Sequence, residues 1–312
     1  MNKYCIINIG GTNTDLHSSI RVALGHVHVD PEDIKMSYLG EPNCSVQRLR
    51  KLNQLLNDVL RHGSRHKEQK IHLLVLPEVF IPHSFASYIT KWSREHQIGI
   101  VCGLEHRVDR HHSAWNELLA VLPYIASNGV HACVPVRRLK RHYAPEEIHL
   151  LDGHDLTIPN KPESKRQYQL FRWRGASFAI YNCYELASIE DRAIFKSKVD
   201  FIIASEFNPD VNYFSNIVES ASRDLHCYVV QVNSSQFGDS RVVSPSNTRL
   251  LTPLQVKGGD NQAFLSMTLP LQKLRDHQRK KYSLQKESDD YKPTPPGFDR
   301  KQAKLRIALG KP

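Results

Sequence analysis

Short apolar runs alternate with amphipathic segments along most of this chain, and that alternation limits the folds open to it. The runs cover residues 4–9, 71–76, 99–104, 117–122, 178–181, 201–204 and 227–232, and each has the length of a buried strand. Helices are predicted at 45–62, 84–96 and 216–225, the first with leucine and valine at three- and four-residue steps behind Ser45 as a cap. Strands that alternate with helices predict an α/β fold.

The composition divides the chain at residue 271. Residues 1–271 contain no repeat and no low-complexity segment, so we predict one domain there. Residues 272–312 are polar and punctuated by proline, and they hold 12 Lys and Arg against five Asp and Glu. This segment carries +7 of the formal net charge of +10, and we predict that it is a basic C-terminal extension.

Composition also excludes several classes of protein. With 40% apolar and 24% charged residues the chain is not grossly disordered, and no apolar run approaches the ~20 residues of a membrane helix. The six cysteines stand singly and the N-terminus does not resemble a secretory signal, so we predict free thiols and a cytoplasmic location. The 17 histidines show no zinc spacing and no nucleotide loop is complete, so no metal or cofactor is predicted.

Three residues that could carry chemistry follow apolar stretches. Glu78 lies in VLPEVFIP, Lys140 in RRLKRHYAPEE and Cys183 in AIYNCYE. Alone, each has an ordinary interpretation: a solvated loop glutamate, part of a basic patch formed with neighbouring arginines, and a buried structural cysteine. Functional residues of α/β proteins gather at the carboxyl ends of strands, however, which favours a common site.

Together these residues supply what attack on an amide-like carbon requires. A free thiol with an ordinary pKa near ~8.5 is mostly protonated at neutral pH, so a nucleophilic Cys183 needs a nearby base or cation. Glu78 and Lys140 would supply both.

This ordered set resembles the nitrilase superfamily, the carbon–nitrogen hydrolases, whose sites use Glu, Lys and Cys in this order. The three segments quoted above are similar to its motifs, and KYCIINIG, IGIVCGLEHR, DFIIASEFNPD and SRDLHCYVVQVNSS extend the resemblance over about residues 3–270. The resemblance implies a four-layer αββα sandwich, with two mixed sheets packed together and helices outside. It also implies that two copies pair as a homodimer.

The implied activity is hydrolysis of a non-peptide carbon–nitrogen bond of a small molecule, an amide or carbamoyl group, through a thioester acyl-enzyme. Glu78 would act as general base and acid, and Cys183 as nucleophile. Lys140 and the backbone N–H of Tyr184 would stabilise the oxyanion.

The resemblance also points to residues around this triad. Family members carry a further glutamate that orients the substrate or holds the lysine, and both Glu147 and Glu146 are candidates for it. Phe207, Asn208 and Pro209 follow a predicted strand and are expected to line the pocket.

The loop after the nucleophile departs from the family pattern. It lacks the Arg-Phe-Pro arrangement of many amidase-like members, which affects the shape of the pocket. Tyr184 stands where true nitrilases commonly have tryptophan, so amide or carbamoyl substrates are favoured over nitriles.

Two alternatives stay open. The chain could be a non-catalytic scaffold whose basic tail contacts nucleic acid or an acidic partner, although a solvated tail, or one that packs across a dimer interface through Leu305, Ile307 and Leu309, explains the composition better. It could also be an amide-forming acyltransferase, in which an amine replaces water and the same three residues act.

Overall fold

Two β-sheets packed face to face form the centre of the molecule. The structure, a computed structural model, describes residues 3–13, 15–65 and 69–308. The strands in these ranges are β1 (Tyr4–Ile9), β2 (Ile20–His26), β3 (Leu73–Val75), β4 (Gly99–Val108), β5 (Ala114–Ile125), β6 (His131–Leu139), β7 (Tyr168–Trp173), β8 (Ala176–Asn182), β9 (Phe201–Ser205), β10 (Tyr228–Val232), β11 (Ser240–Val243), β12 (Leu254–Val256) and β13 (Ala263–Leu269). The helices are α1 (Pro31–Tyr38), α2 (Val46–Arg65), α3 (Ala86–His96), α4 (Pro145–Gly153), α5 (Ile189–Ala193), α6 (Val211–Leu225), α7 (Leu271–Arg279), α8 (Tyr282–Lys286) and α9 (Arg300–Ala308).

Both sheets are mixed, with parallel strands at their centres. The larger sheet has the order β1-β7-β8-β9-β10-β11-β12, and the smaller has the order β13-β2-β3-β4-β5-β6. Strands β8, β9 and β10 run parallel to one another, as do β2, β3 and β4. Strand β3 is much shorter than β4, so the residues that follow β3 lie beside the second half of β4. Because parallel strands end at the same edge of a sheet, the residues after β8 are neighbours of those after β9.

Alternate residues of the central strands serve two different cores. In β9, Phe201 and Ile203 face the other sheet, and the ring of Phe201 stacks on Phe178 with centroids 4.9 Å apart. The intervening Ile202 faces outward and packs with Phe214 of α6. Helices α2 and α3 cover the outer face of the smaller sheet in the same way. The result is a four-layer αββα sandwich, as the sequence resemblance implies.

The predicted helices are confirmed with small differences at their ends. Helix α2 buries Leu52, Leu55 and Leu56, and the hydroxyl of Ser45 accepts a hydrogen bond from the backbone N–H of Arg48 at 3.3 Å. Full burial of a leucine contributes about 1.5–3 kcal/mol, so this face fixes α2 on the sheet. Helix α6 begins five residues before the predicted start, because Asp210 caps it.

Several strands were not predicted, and they share a physical reason. Strands β2, β7, β11, β12 and β13 lie outside the predicted apolar runs, and β6 extends beyond the apolar stretch noted before Lys140. Strand β2 contains Arg21 and Gly25, and it is held by antiparallel pairing with β13, some 240 residues later in the chain. Such pairing depends on tertiary context, which a local hydrophobic pattern does not report.

No helix in the described part of the chain is long and apolar enough to cross a membrane.

The basic segment after residue 271 packs on the larger sheet through two buried arginines. Arg275 on α7 donates to both carboxylate oxygens of Asp200, at 2.8 and 2.6 Å, and Arg306 on α9 donates at 2.9 Å. Asp200 precedes β9 and is fully buried. Burial alone would raise the pKa of Asp200, but Arg275 and Arg306 outweigh it and hold that pKa below its ordinary value. Two of the cations in the segment are therefore used inside the molecule.

The division at residue 271 and the partners of the tail stay predictions. Leu305, one of the apolar residues considered for a dimer interface, is half exposed. The side chain of Ile307 and all of Leu309 lie outside the described residues.

We expect Asp200→Asn to destabilise the protein by about 3–5 kcal/mol, because it leaves two buried guanidinium groups without a countercharge. Asp290→Asn is the matched control, since it breaks an exposed ion pair with Lys273 at 2.7 Å and should cost under about 1 kcal/mol. Urea unfolding measures both variants. Equal losses in the two would contradict the anchoring of the tail through Asp200.

Candidate active site

Glu78 is placed by a tight approach between its loop and strand β4. The loop after β3 crosses Gly103, where a Cβ atom would stand 2.4 Å from the Cα of Glu78. The carbonyl of Gly103 accepts hydrogen bonds from Phe80 and Ile81, at 3.2 and 3.1 Å. The residue after Glu78, Val79, has a φ of +49°, a conformation that β-branched residues rarely adopt. The surrounding contacts therefore hold a strained turn that presents Glu78.

Cys183 lies at a second strained turn, directly after β8. Its φ is +47°, and it begins a short 3₁₀ turn over Cys183–Ala187. The carboxylate of Glu185 accepts a hydrogen bond from the backbone N–H of Asn182 at 2.7 Å and closes this turn. The side chain of Cys183 is buried.

A buried ion pair joins the turn at Cys183 to strand β6. Arg138 donates to the two carboxylate oxygens of Glu185 at 2.6 and 2.7 Å, and the backbone N–H of Arg141 donates to the same carboxylate at 2.6 Å. The interpretation of these arginines as a solvated patch is wrong for Arg138, which is 3% exposed. Glu185 thus fixes Lys140, between Arg138 and Arg141, relative to Cys183. Sequence reasoning gave Glu185 no such role.

Lys140 is the electrostatic centre of the site. Its Nζ atom donates to Glu78 Oε1 at 2.7 Å and to Glu147 Oε2 at 2.5 Å. Desolvation favours the neutral amine, but the charges of Glu147 and Glu78 outweigh it and raise the pKa of Lys140 well above its ordinary value. For Glu147, burial is in turn outweighed by Lys140 and His106, which hold the pKa at about 2. The pair is therefore ionised at neutral pH.

Asn116 is a site residue that the sequence analysis missed. Its Nδ2 atom donates to Glu78 Oε1 at 2.8 Å and to Glu147 Oε1 at 2.7 Å, and its Oδ1 atom accepts from Asn182 at 2.8 Å. It is fully buried on β5. The available signal was an amide inside an apolar strand, but the predicted strand began at residue 117 and left it out.

The thiol of Cys183 is uncharged in this environment. Burial raises the pKa of Cys183 well above its ordinary value, and the negative charge on Glu78 raises it further. Lys140 and a hydrogen bond from the backbone N–H of Phe207 act in the opposite direction and do not reverse the shift. A nucleophilic role therefore requires a base to take the proton, and Glu78 is the adjacent carboxylate.

All the predicted site residues line one cavity of about 540 Å³. They are Glu78, Lys140, Glu146, Glu147, Cys183, Tyr184, Phe207, Asn208 and Pro209. The two candidate glutamates differ in placement, because Glu147 contacts Lys140 whereas Glu146 is exposed on the first turn of α4. Among the described residues no group of three or more His, Cys, Asp or Glu side chains is arranged to hold a metal ion.

A second buried carboxyl that the sequence analysis missed lies behind the cavity. Glu206 follows β9 and is fully buried, and its carbonyl accepts a hydrogen bond from the N–H of Glu78 at 3.3 Å. Gln231 donates to its Oε2 atom at 2.9 Å, while Oε1 has no partner among the described residues. Burial raises the pKa of Glu206 to about 8. Its signal in the sequence was a glutamate two residues after the apolar run 201–204.

Solved structures of amidases share this fold. An amidase from Nesterenkonia sp. matches at 15% identity and a TM-score of 0.53, over 89% of this chain and 98% of that chain. A variant of the amidase from Nesterenkonia sp. AN1, with the acetamide moiety of fluoroacetamide added covalently at its active-site cysteine, matches at 14% identity and a TM-score of 0.54, over 89% and 99% of the two chains. A cysteine-to-serine variant of this nitrilase-superfamily amidase matches at 15% identity and a TM-score of 0.54, over 86% and 97%. No family model and no curated protein matches the sequence.

Fold and site together define a class of protein: a four-layer α/β sandwich with a cysteine, a lysine and a glutamate that follow strands and meet around one cavity. The fold is that of the nitrilase superfamily. The predicted fold class, a four-layer αββα sandwich of the nitrilase type, is confirmed.

We expect Glu206→Gln to remove a pH dependence of stability. The folded protein keeps a proton on Glu206 up to about pH 8, whereas the unfolded chain releases it near 4.5, so the free energy of unfolding falls as the pH rises through this window. The slope from this group is about 1.4 kcal/mol per pH unit. Urea unfolding at several pH values measures it, and Glu41→Gln, at an exposed glutamate, should keep the wild-type slope. Parallel profiles for wild type and Glu206→Gln would contradict the assignment.

Proposed function

We propose that this protein hydrolyses the carbon–nitrogen bond of an amide or carbamoyl group of a small molecule, with Cys183 as nucleophile. The observation that carries the proposal is that Glu78, Lys140 and Cys183, from the ends of three strands, meet in one cavity with Lys140 bonded to two carboxylates. An isolated structural cysteine needs neither a buried base nor a buried cation beside it.

In the first step Glu78 takes the proton of the Cys183 thiol as the sulfur attacks the substrate carbonyl carbon. The hydrogen bonds from Lys140 and Asn116 to the Glu78 carboxylate both end on Oε1, so in this scheme Oε2 accepts the proton. The S–C bond forms and the carbonyl electrons move to oxygen. The ammonium of Lys140 and the backbone N–H of Tyr184 stabilise that oxyanion.

In the second step the tetrahedral intermediate collapses to a thioester. The C–N bond breaks, and Glu78 returns its proton to the departing nitrogen, which leaves as ammonia or an amine. Water then attacks the thioester, with Glu78 again accepting a proton. The S–C bond breaks, the acid leaves and the Cys183 thiol is restored, so the reaction consumes one water per amide.

Glu147 acts in this scheme through Lys140, as a positioning residue. It holds the ammonium at 2.5 Å, and it accepts a hydrogen bond from Asn116 at 2.7 Å, which also contacts Glu78. Lys140 therefore stays charged, and its ammonium group keeps its position, while Glu78 gains and loses a proton. The charge on Glu147 compensates the lysine when Glu78 is neutral.

The structural neighbours support this chemistry by analogy. One is an amidase with an acetamide moiety bound covalently to its active-site cysteine, and another is a cysteine-to-alanine variant in complex with butyramide. Both are similar to this chain in fold at low identity, so the reaction is transferred here as a proposal.

We expect wild-type protein to release ammonia from amides and Cys183→Ala to release none, because no other group in the cavity can form the thioester. Glu78→Gln should lower the rate by about 10²–10⁴-fold, since the glutamine side chain cannot take the proton of the Cys183 thiol. Ammonia release measures turnover, and intact mass measures formation of the acyl-enzyme. We expect an acyl adduct on the wild-type protein only. Cys227→Ala, at an equally buried thiol outside the cavity, should keep wild-type activity.

The same experiment separates the alternatives. Equal activity of Cys183→Ala and wild type would refute the nucleophile. If added amines divert the acyl group into a new amide, the chain is an acyltransferase that uses the same intermediate. If no amide forms an adduct, the scaffold alternative is favoured.

A further inference from the structure

The cavity is much larger and more apolar than the triad itself requires. Its wall comes from helices α1, α4 and α6 and the turn at Phe237, together with strand ends and the loops that follow β3 and β9. Its apolar and aromatic lining consists of Ile34, Tyr38, Val79, Leu150, Tyr184, Phe207, Tyr213, Phe214 and Phe237, together with alanine and proline. The rings of Phe207 and Phe237 meet edge to face with centroids 5.1 Å apart. A volume of about 540 Å³ is in the range of sites that enclose drug-sized molecules.

The charges on the lining are mainly negative. Glu78, Glu146, Glu147 and Asp210 supply four carboxylates. Lys140 is the sole lysine or arginine among the described lining residues, and its ammonium is already held by Glu78 and Glu147. A substrate carboxylate bound here would lose its hydration without gaining a free cation, which is strongly unfavourable.

We propose that the cavity selects amides with a bulky apolar or aromatic group and no negative charge. This inference rests on the proposed function for the reacting group, which places the amide at Cys183 and Lys140. The rest of the substrate then lies against the aromatic wall. Small amides leave most of this surface uncovered, and amides that carry a carboxylate meet an acidic lining.

Four amides test the two parts of this selectivity. For size, kcat/KM for 3-phenylpropanamide should exceed that for acetamide by at least about 100-fold, because one methylene in an apolar pocket is worth about 10–200-fold. For charge, 4-methylpentanamide and succinamate have nearly the same shape and differ by a carboxylate. We expect the neutral amide to be preferred by at least about 100-fold.

A charge added to the wall should change the second preference. Leu150 lines the cavity on α4 and is 45% exposed, so Leu150→Lys should be tolerated. The new ammonium should raise kcat/KM for succinamate relative to 4-methylpentanamide by about tenfold. Leu250→Lys is the matched control, because Leu250 is 40% exposed and lies outside the cavity. It adds the same charge and should leave the ratio unchanged.

The outcomes distinguish this inference from the proposed function. Preference for acetamide or for succinamate, or an equal effect of the two lysine substitutions, overturns the inference and leaves hydrolysis standing. If wild type hydrolyses none of the four amides, the proposed function fails. Affinities of the same amides for Cys183→Ala, measured by ligand-observed NMR, then decide: the predicted order supports the selectivity of the cavity, and a flat or reversed order refutes it.

Discussion

The buried ammonium of Lys140 is the interaction on which the rest of the site depends. Removing a charged group from water costs several kcal/mol, and that cost is offset here only because two carboxylates accept hydrogen bonds at 2.7 and 2.5 Å. Those carboxylates come from the loop after β3 and from helix α4, so both segments must stand where the lysine reaches them. The sandwich positions them, and Asn116 joins them directly.

Two residues at the site have positive φ angles, so the fold must hold strained backbone there as well as a buried charge. Val79 directly follows Glu78, and Cys183 carries the thiol that lines the cavity; each conformation costs about 1–3 kcal/mol. Gly103 permits the first turn, because any side chain there would collide with it. Glu185 and Arg138 hold the second turn from β6. The core of two sheets and two helical layers supplies the stability that keeps these turns in place.

Sequence reasoning reached the elements whose signal is local and missed those set by tertiary contacts. The leucine periodicity of α2 and the order of Glu78, Lys140 and Cys183 are readable along the chain. Strand β2 is not, since its pairing with β13 is distant in sequence. Asn116 was missed for the same reason: its role exists only where three strands meet. The choice between Glu146 and Glu147 also needed geometry, because adjacent residues on a helix face in different directions.

The most direct test of this account compares Glu147→Gln with Glu146→Gln in steady-state amide hydrolysis. Both remove one carboxylate from neighbouring positions of α4, so the total charge is matched. We predict that kcat/KM falls by at least about 100-fold in Glu147→Gln, because the Lys140 ammonium loses an ionic partner that holds its position. In Glu146→Gln we predict a change of under about threefold. Equal effects, or a larger loss in Glu146→Gln, would contradict the central role of the Glu78, Lys140 and Glu147 network.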